Sequence, residues 1–448
     1  MRARAKILFN ALNLDRPVNF GQDTLVANGL GEDLYVQDLH GWHDGDPVQA
    51  LADQIDLSDS AGAYLFTGNR GTGKTTELLR LSTILQRDEY DCEVFYADMV
   101  EYLNLSQRIE ITDFLISILG AFSEKVAARF GENPGKPGFF ERVRLFLINT
   151  NVEFSEVKLP AGPVEFKAAL QQNPTFKEQL QTKTRGLVEQ LVKEARDFVL
   201  DMVQYVRNQR AHPDRKIVFI VDSVERLRGA GETAEIREVF KSAETVFSSH
   251  ADKLRFTALN VVYTVPPYLS ALAGALGAIY AGGCIYALPS VHIYEGRPAP
   301  GQASAPHPQG LAKMQEIVEK RYLEWREFFT EAQLMRLAQH SGGDLRDYLR
   351  MLRLAVTRVV ALGQLPVPDS VIDDAEDAVR NDMLPIAADD RQWLRKIMQS
   401  HDAELSSLDA LPDFARLQEG KYLLHYFNGD GWWDVHPLLR AEVSGGAN

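Results

Sequence analysis

Ala63-Tyr-Leu-Phe-Thr67 runs straight into Gly68-Asn-Arg-Gly-Thr-Gly73-Lys74-Thr75-Thr76 and then into Glu77-Leu-Leu-Arg-Leu81. The first five residues read as a buried strand and the last five as the opening of a helix. Between them stands G-x4-G-K-T, the spacing of a phosphate-binding loop in the strand-to-helix setting such a loop requires. Its glycines let the backbone turn tightly with several N–H groups pointing inward, and the helix N-terminus adds partial positive charge at the same place. Gly68, Asn69, Arg70, Gly71, Thr72, Gly73, Lys74, Thr75 and Thr76 therefore read as the cradle of a nucleotide, ATP or ADP. Lys74 is the cation on the β- and γ-phosphates, and Thr75 the hydroxyl ligand of Mg²⁺.

Such a site needs a carboxylate for the metal at the end of a neighbouring strand, and Lys216-Ile-Val-Phe-Ile-Val-Asp222-Ser-Val-Glu225 supplies one. The strand is apolar throughout, as strands covered on both faces are, and Asp222 falls where the chain leaves the sheet, in the ligand crevice of an open α/β sheet. Glu225 has two readings: the base that orients the attacking water, or a salt-bridged or capping carboxylate. Further strand-like runs at Glu93–Ala97, Phe256–Tyr263 and Cys284–Leu288 alternate with helical patterns, which predicts a parallel sheet with helices on both faces. An insertion with helical periodicity occupies about 130–212 between the second and third strands.

The chain has 448 residues and a net charge of −14. That weakens any reading as a general nucleic-acid or anionic-membrane coat, which needs a basic surface. Its two cysteines, Cys92 and Cys284, are unclustered, so neither a disulfide framework nor a zinc site is indicated. From Phe256 to Tyr294 there is no Asp, Glu, Lys or Arg. Pro266-Pro267, Gly282-Gly283 and Pro289 nevertheless break this run into pieces too short for a spanning helix, which takes about 20 continuous apolar residues. Without an export signal, the expected setting is the cytoplasm. Composition shifts divide the chain into a lead segment (1–60), a nucleotide-binding body (61–295), a loop (296–310), a helical lid (311–363) and a C-terminal block (368–448).

The loop GTGKTT, the strand and acid VDSVERL, the following strand Val261-Val-Tyr-Thr264, and the helical and C-terminal blocks together resemble the STAND class of signalling ATPases, within the wider AAA+ and related P-loop group. The resemblance covers about 61–440 without the insertion. It implies a P-loop NTPase sheet in the order 5-1-4-3-2, with Thr264 as the polar sensor of the γ-phosphate. Many relatives carry an arginine after that strand, and Val265-Pro-Pro stands here instead. In the lid, Ser341-Gly-Gly-Asp-Leu-Arg346 opens a helix that places Arg346, Arg350 and Arg353 on one face. Those arginines read either as a salt-bridged stripe or, for Arg346, as the lid cation that resembles the AAA+ second sensor.

The C-terminal block reads as helices followed by a hairpin about Asn428-Gly-Asp-Gly, a winged helix. Its 7 Lys+Arg against 16 Asp+Glu over 367–448 give −9, which repels phosphate. Val435-His436-Pro437 resembles in part the STAND motif whose histidine contacts ADP, so His436 is a candidate latch beside the plainer reading of a structural histidine. The resemblance implies a slow ATPase switch whose nucleotide state controls domain opening, self-assembly or release of a protein effector supplied in trans, in antiviral defence or regulation. Nucleic acid and membrane are not expected partners. Two alternatives stand: a DNA-handling AAA+ ATPase of the origin-recognition or transposition-regulator type, and a scaffold that holds ATP structurally.

Overall fold

The computed structural model describes residues 1–20, 31–40, 45–155, 157–210, 214–228, 233–428 and 430–445. In chain order, α1 (Arg2–Ala11) and α2 (Pro47–Leu57) precede β1 (Ala63–Gly68), and α3 (Lys74–Leu85) leads to β2 (Glu93–Asp98). Five helices follow: α4 (Ile111–Phe130), α5 (Phe139–Asn149), α6 (Pro163–Gln172), α7 (Pro174–Thr184) and α8 (Val188–Arg210). Then come β3 (Ile217–Asp222), α9 (Thr233–Ser248), β4 (Asn260–Thr264), α10 (Ala273–Leu276) and β5 (Ile285–Leu288). The rest comprises α11 (Pro308–Arg321), α12 (Glu331–His340), α13 (Leu345–Leu362), α14 (Asp369–Asn381), α15 (Ala388–Ser400), α16 (Leu411–Glu419), the strands β6 (Leu423–Asn428) and β7 (Asp430–Val435), and α17 (Arg440–Ser444).

The chain divides into two units, one of residues 1–46, 68–79 and 287–448, the other of 47–67 and 80–286. The second unit is built on the sheet, whose order is β2-β3-β4-β1-β5, the expected order read from its other edge. β1 pairs with β4, β4 with β3 and β3 with β2, all parallel. β1 and β3 are buried at every position, which is why they are apolar without alternation. The fourth strand is shorter than its sequence pattern suggests, Asn260–Thr264 rather than Phe256–Tyr263. It starts where the Asn260 side chain accepts from the Gly62 amide and fixes its register beside β1. Phe122 of α4 packs edge-on against Phe95 of β2, 5.5 Å between ring centroids, and against Phe219 of β3 at 5.2 Å. Thus α4, which precedes the insertion expected at about 130–212, shares the sheet's core; 156 and 211–212 lie outside the described residues. Among the described residues, no helix is long and apolar enough to cross a membrane.

In the first unit α11, α12 and α13 form the helical lid. α12 starts on a reciprocal cap between Thr330 and Gln333, and α13 starts on Asp344, whose carboxylate accepts from the Asp347 amide. Such caps satisfy amides that a helix start leaves orphaned. The Pro- and Ala-rich loop before α11 is folded back on itself, with the Glu295 amide donating to the Ala305 carbonyl. α14, α15 and α16 followed by the antiparallel pair β6–β7 give the winged-helix arrangement. Of its expected turn, Gly429 lies outside the described residues. The pair buries Tyr426 stacked on Trp432 at 4.4 Å between centroids.

Candidate nucleotide-binding site

The phosphate loop closes on its own backbone. The buried Lys74 ammonium donates to the carbonyls of Gly68 (2.9 Å) and Asn69 (2.8 Å), and the Thr72 hydroxyl also donates to Asn69 O at 2.9 Å. Gly71 and Gly73 sit at φ +90° and +91°, a region that only glycine occupies without strain, so the loop's shape depends on both. α3 begins at Lys74 itself, which directs its free amides and positive end into the turn. Arg70 is exposed, Thr75 is half-buried, and Thr76 accepts through its hydroxyl from the Val18 amide at 3.2 Å.

The lid meets this loop through the start of α13. The Leu345 amide donates to the Gly71 carbonyl at 3.2 Å, and a side chain at Gly71 would collide with the Asp344 carboxylate, 2.5 Å from the ideal Cβ position. Asp344 in turn accepts from Lys421 at 2.9 Å, and Lys421 lies 2.9 Å from Asp347 as well. His436 is fully buried, with its Nε2 3.6 Å from Asp347 Oδ2 and its Nδ1 accepting from the Leu438 amide. Burial pushes the Asp344 carboxyl up, against the pull of Lys421. Burial works the same way on Asp347, but the imidazole of His436 and the Lys421 charge outweigh it and hold that carboxyl well below the usual range. The result is one continuous polar path from Gly71 through α13 to both ends of the hairpin, since Lys421 stands before β6 and His436 after β7. Gly342 and Gly343, at φ +63° and +81°, let the lid turn lie against Val291 and the hairpin, where Tyr426 donates to the Gly342 carbonyl.

The candidate lid arginine points elsewhere. Arg346 pairs with Asp15 of the lead segment at 3.0 Å, Arg350 pairs with Asp382, and Arg353 lies over the Phe9 ring at 4.1 Å. Two of the three arginines on this face thus stand in ion pairs and the third over a ring. His436 is joined to the lid through Asp347.

A cleft open to solvent lies within the same unit. The lead segment contributes Val36 and Leu39 to its lining, the loop and α3 contribute Gly73 and Thr76, and the lid contributes Arg321 and Leu345. Tyr35 and Glu77 also line it and are joined by a 2.8 Å hydrogen bond. None of these residues outside the phosphate loop carries a sequence signal, because they come from segments hundreds of positions apart with no shared motif.

In the sheet unit, Asp222 ends β3 fully buried. Its Oδ1 accepts from the Ser223 amide and its Oδ2 from the Tyr96 hydroxyl, each at 2.6 Å. Burial and then the Asp222 charge push the Tyr96 hydroxyl far up, so it stays protonated and can only help hold the carboxylate as donor. Sequence reasoning missed Tyr96, which reads simply as an aromatic strand residue. Ser223 takes the left-handed conformation, φ 70°, and turns the chain into Val224–Arg226, the short turn that carries the buried Glu225. The Thr264 hydroxyl accepts from the Val224 amide at 2.9 Å and donates to the Val221 carbonyl. Thr264 therefore pins the turn on which Glu225 stands. Among the described residues, no group of three or more His, Cys, Asp or Glu is placed to hold a metal by itself.

A parallel sheet in this strand order, with a glycine-rich phosphate loop directly after β1, defines the P-loop NTPase fold. No family model matches the chain, and no curated protein matches it. Among solved structures it is similar to the Cdc6p protein of Pyrobaculum aerophilum, at 13% identity and TM-score 0.36, over 92% of this chain and 96% of that one. The ORC2 protein of Aeropyrum pernix gives 11% and 0.38 over 88% and 90%, and a Walker-type ATPase of Pyrococcus abyssi 11% and 0.42 over 97% and 99%. The overlap is loose, and the assignment of the fold rests on the chain's own sheet and loop.

Proposed function

We propose that the chain is a Mg²⁺-dependent ATPase switch of the STAND type, in which the nucleotide held by the phosphate loop sets the position of the lid and the winged helix. The observation that carries this reading is the path from Gly71 through Asp344, Lys421 and Asp347 to His436. A phosphate loop whose carbonyl holds the first amide of α13 cannot change shape without moving that helix end, and the helix end is tied by ions to the hairpin. In this reading Lys74 and the loop amides take the phosphates, Thr75 and Asp222 serve Mg²⁺, and the apolar cleft takes the base. The metal would supply charge neutralisation on the β- and γ-phosphates. Tyr96 and the Ser223 amide orient the Asp222 carboxylate for it.

Glu225 is the base in this scheme, held in place by the Val224–Thr264 hydrogen bond. Glu225→Gln should therefore leave ATP affinity within about twofold and lower turnover by roughly 100-fold or more, within the range for loss of a general base. Single-turnover hydrolysis measured beside equilibrium binding checks this, and normal turnover would return Glu225 to a structural carboxylate. ADP is the closing ligand and ATP the opening one, with self-association or release of a protein partner following. His436 acts in the latch through Asp347, and Arg346 is freed for phosphate contact only when its pair with Asp15 parts. The partner of the winged helix is a protein, because that block carries −9 over 367–448 and would repel a duplex.

A further inference from the structure

Arg321 is the last residue of α11 and lines the cleft with Gly73, Thr76, Leu345 and Leu349. Its Nε is shielded from solvent and has no hydrogen-bond partner, and no carboxylate pairs with the side chain among the described residues. Of the lid's other arginines, Arg336, Arg346, Arg350 and Arg358 each pair with an aspartate, and Arg353 lies over the Phe9 ring. Leaving a shielded N–H without an acceptor is costly. Burial pushes the guanidinium down to about 10, only partly offset by the nearby Tyr348 hydroxyl. Such a group persists where something outside the free chain completes it.

A guanidinium only donates, so what completes it must accept. The surroundings exclude a second phosphate site. The phosphates have their own donors in Lys74 and the loop amides, whereas the cleft that Arg321 lines is walled mainly by apolar side chains such as Val36, Leu39, Leu345 and Leu349, with Tyr35 and Glu77 among its polar ones, a slot suited to a flat ring with a few polar edge atoms. We infer that Arg321 is the residue through which the cleft reads the base, donating to acceptor atoms on the edge of a purine. The planar guanidinium suits that edge, where ring nitrogens accept, as N7 does on adenine and on guanine. This assignment rests on the nucleotide reading above and extends it from the phosphates to the base.

The test is equilibrium binding of Mg·ATP and of Mg·tripolyphosphate, which lacks base and sugar, to the full chain and to its Arg321→Met variant. Removing a charged donor should weaken ATP by about 10- to 100-fold, the usual worth of such a hydrogen bond. Tripolyphosphate affinity should change by less than about twofold, since the phosphate donors are untouched. That unchanged affinity also reports that the variant is folded. Equal weakening of both ligands would place Arg321 on the phosphates or in the structure, and unchanged ATP affinity would remove it from recognition; either overturns the assignment. A natural chain that binds tripolyphosphate as tightly as ATP would show that the base is not read at all. One that binds neither would overturn the nucleotide reading itself and the Arg321 assignment with it.

Discussion

Lys74→Ala should abolish the proposed nucleotide binding: ATP affinity is expected to fall on the order of 100-fold or more, the sum of two charge-assisted contacts to phosphate. The geometry makes the loss steeper than the removal of one surface charge. Lys74 is buried, and its ammonium already gathers the carbonyls of Gly68 and Asn69, so it is fixed in the turn before any ligand arrives. A preorganised cation spends little rotamer entropy on binding, which is lost along with its charge. Alanine also leaves those two carbonyls without this donor. Lys74→Arg does not rescue, because the larger fork cannot sit inside a loop closed at 2.8–2.9 Å. Fluorescent-nucleotide titration of the variant decides the matter, and an affinity within threefold of the natural chain would remove the phosphate-loop account.

The second large effect lies away from the phosphates. Lys421→Met destabilises the protein by about 3–5 kcal/mol, the cost of stripping the partner from buried carboxylates. Two of them depend on this one ammonium, Asp344 at 1% and Asp347 at 7% side-chain exposure, each 2.9 Å away. With Lys421 gone, Asp344 faces Gly71 and the neighbouring Asp347 with no cation of its own. Asp347 still has His436 3.6 Å away. The Asp344→Asn change in the same background therefore recovers a good part of the loss, because it removes the charge left most exposed to burial. Urea unfolding of both variants gives the comparison. A loss under about 1 kcal/mol for Lys421→Met would mean that the path from loop to hairpin is not tightly held.

The loop and the place of Asp222 at a strand end were legible because each is a local pattern: glycines at fixed spacing between strand and helix, and an apolar run that ends on an acid. The strand order came only through the family resemblance. Thr264 was legible as a polar strand end, but its hold on the turn after β3 was not. Its bond to the Val224 amide exists only because β3 and β4 pair in a particular register, which no single segment encodes. Arg346 follows the same logic. Its place at the start of α13 is readable, whereas its pairing with Asp15 joins residues with no common periodicity. Lys421 reads as an ordinary turn lysine before a strand, and only the fold brings it between two aspartates of the lid. Arg321 looks like a routine basic residue closing an amphipathic helix, and only the cleft makes it conspicuous. What sequence could not supply, in each case, is the tertiary neighbour that gives a charged side chain its partner or withholds one.

The claim that nucleotide state governs the arrangement of the lid and winged helix, and through it assembly, is tested most directly by size-resolved mass measurement. The same preparation is run with Mg·ADP, with Mg·ATP and with neither. One compact species is expected with ADP and a shift with ATP, either to a larger assembly or to a more extended form of the same mass. Identical mass and hydrodynamic radius in all three conditions, with both nucleotides shown to be bound, would contradict it.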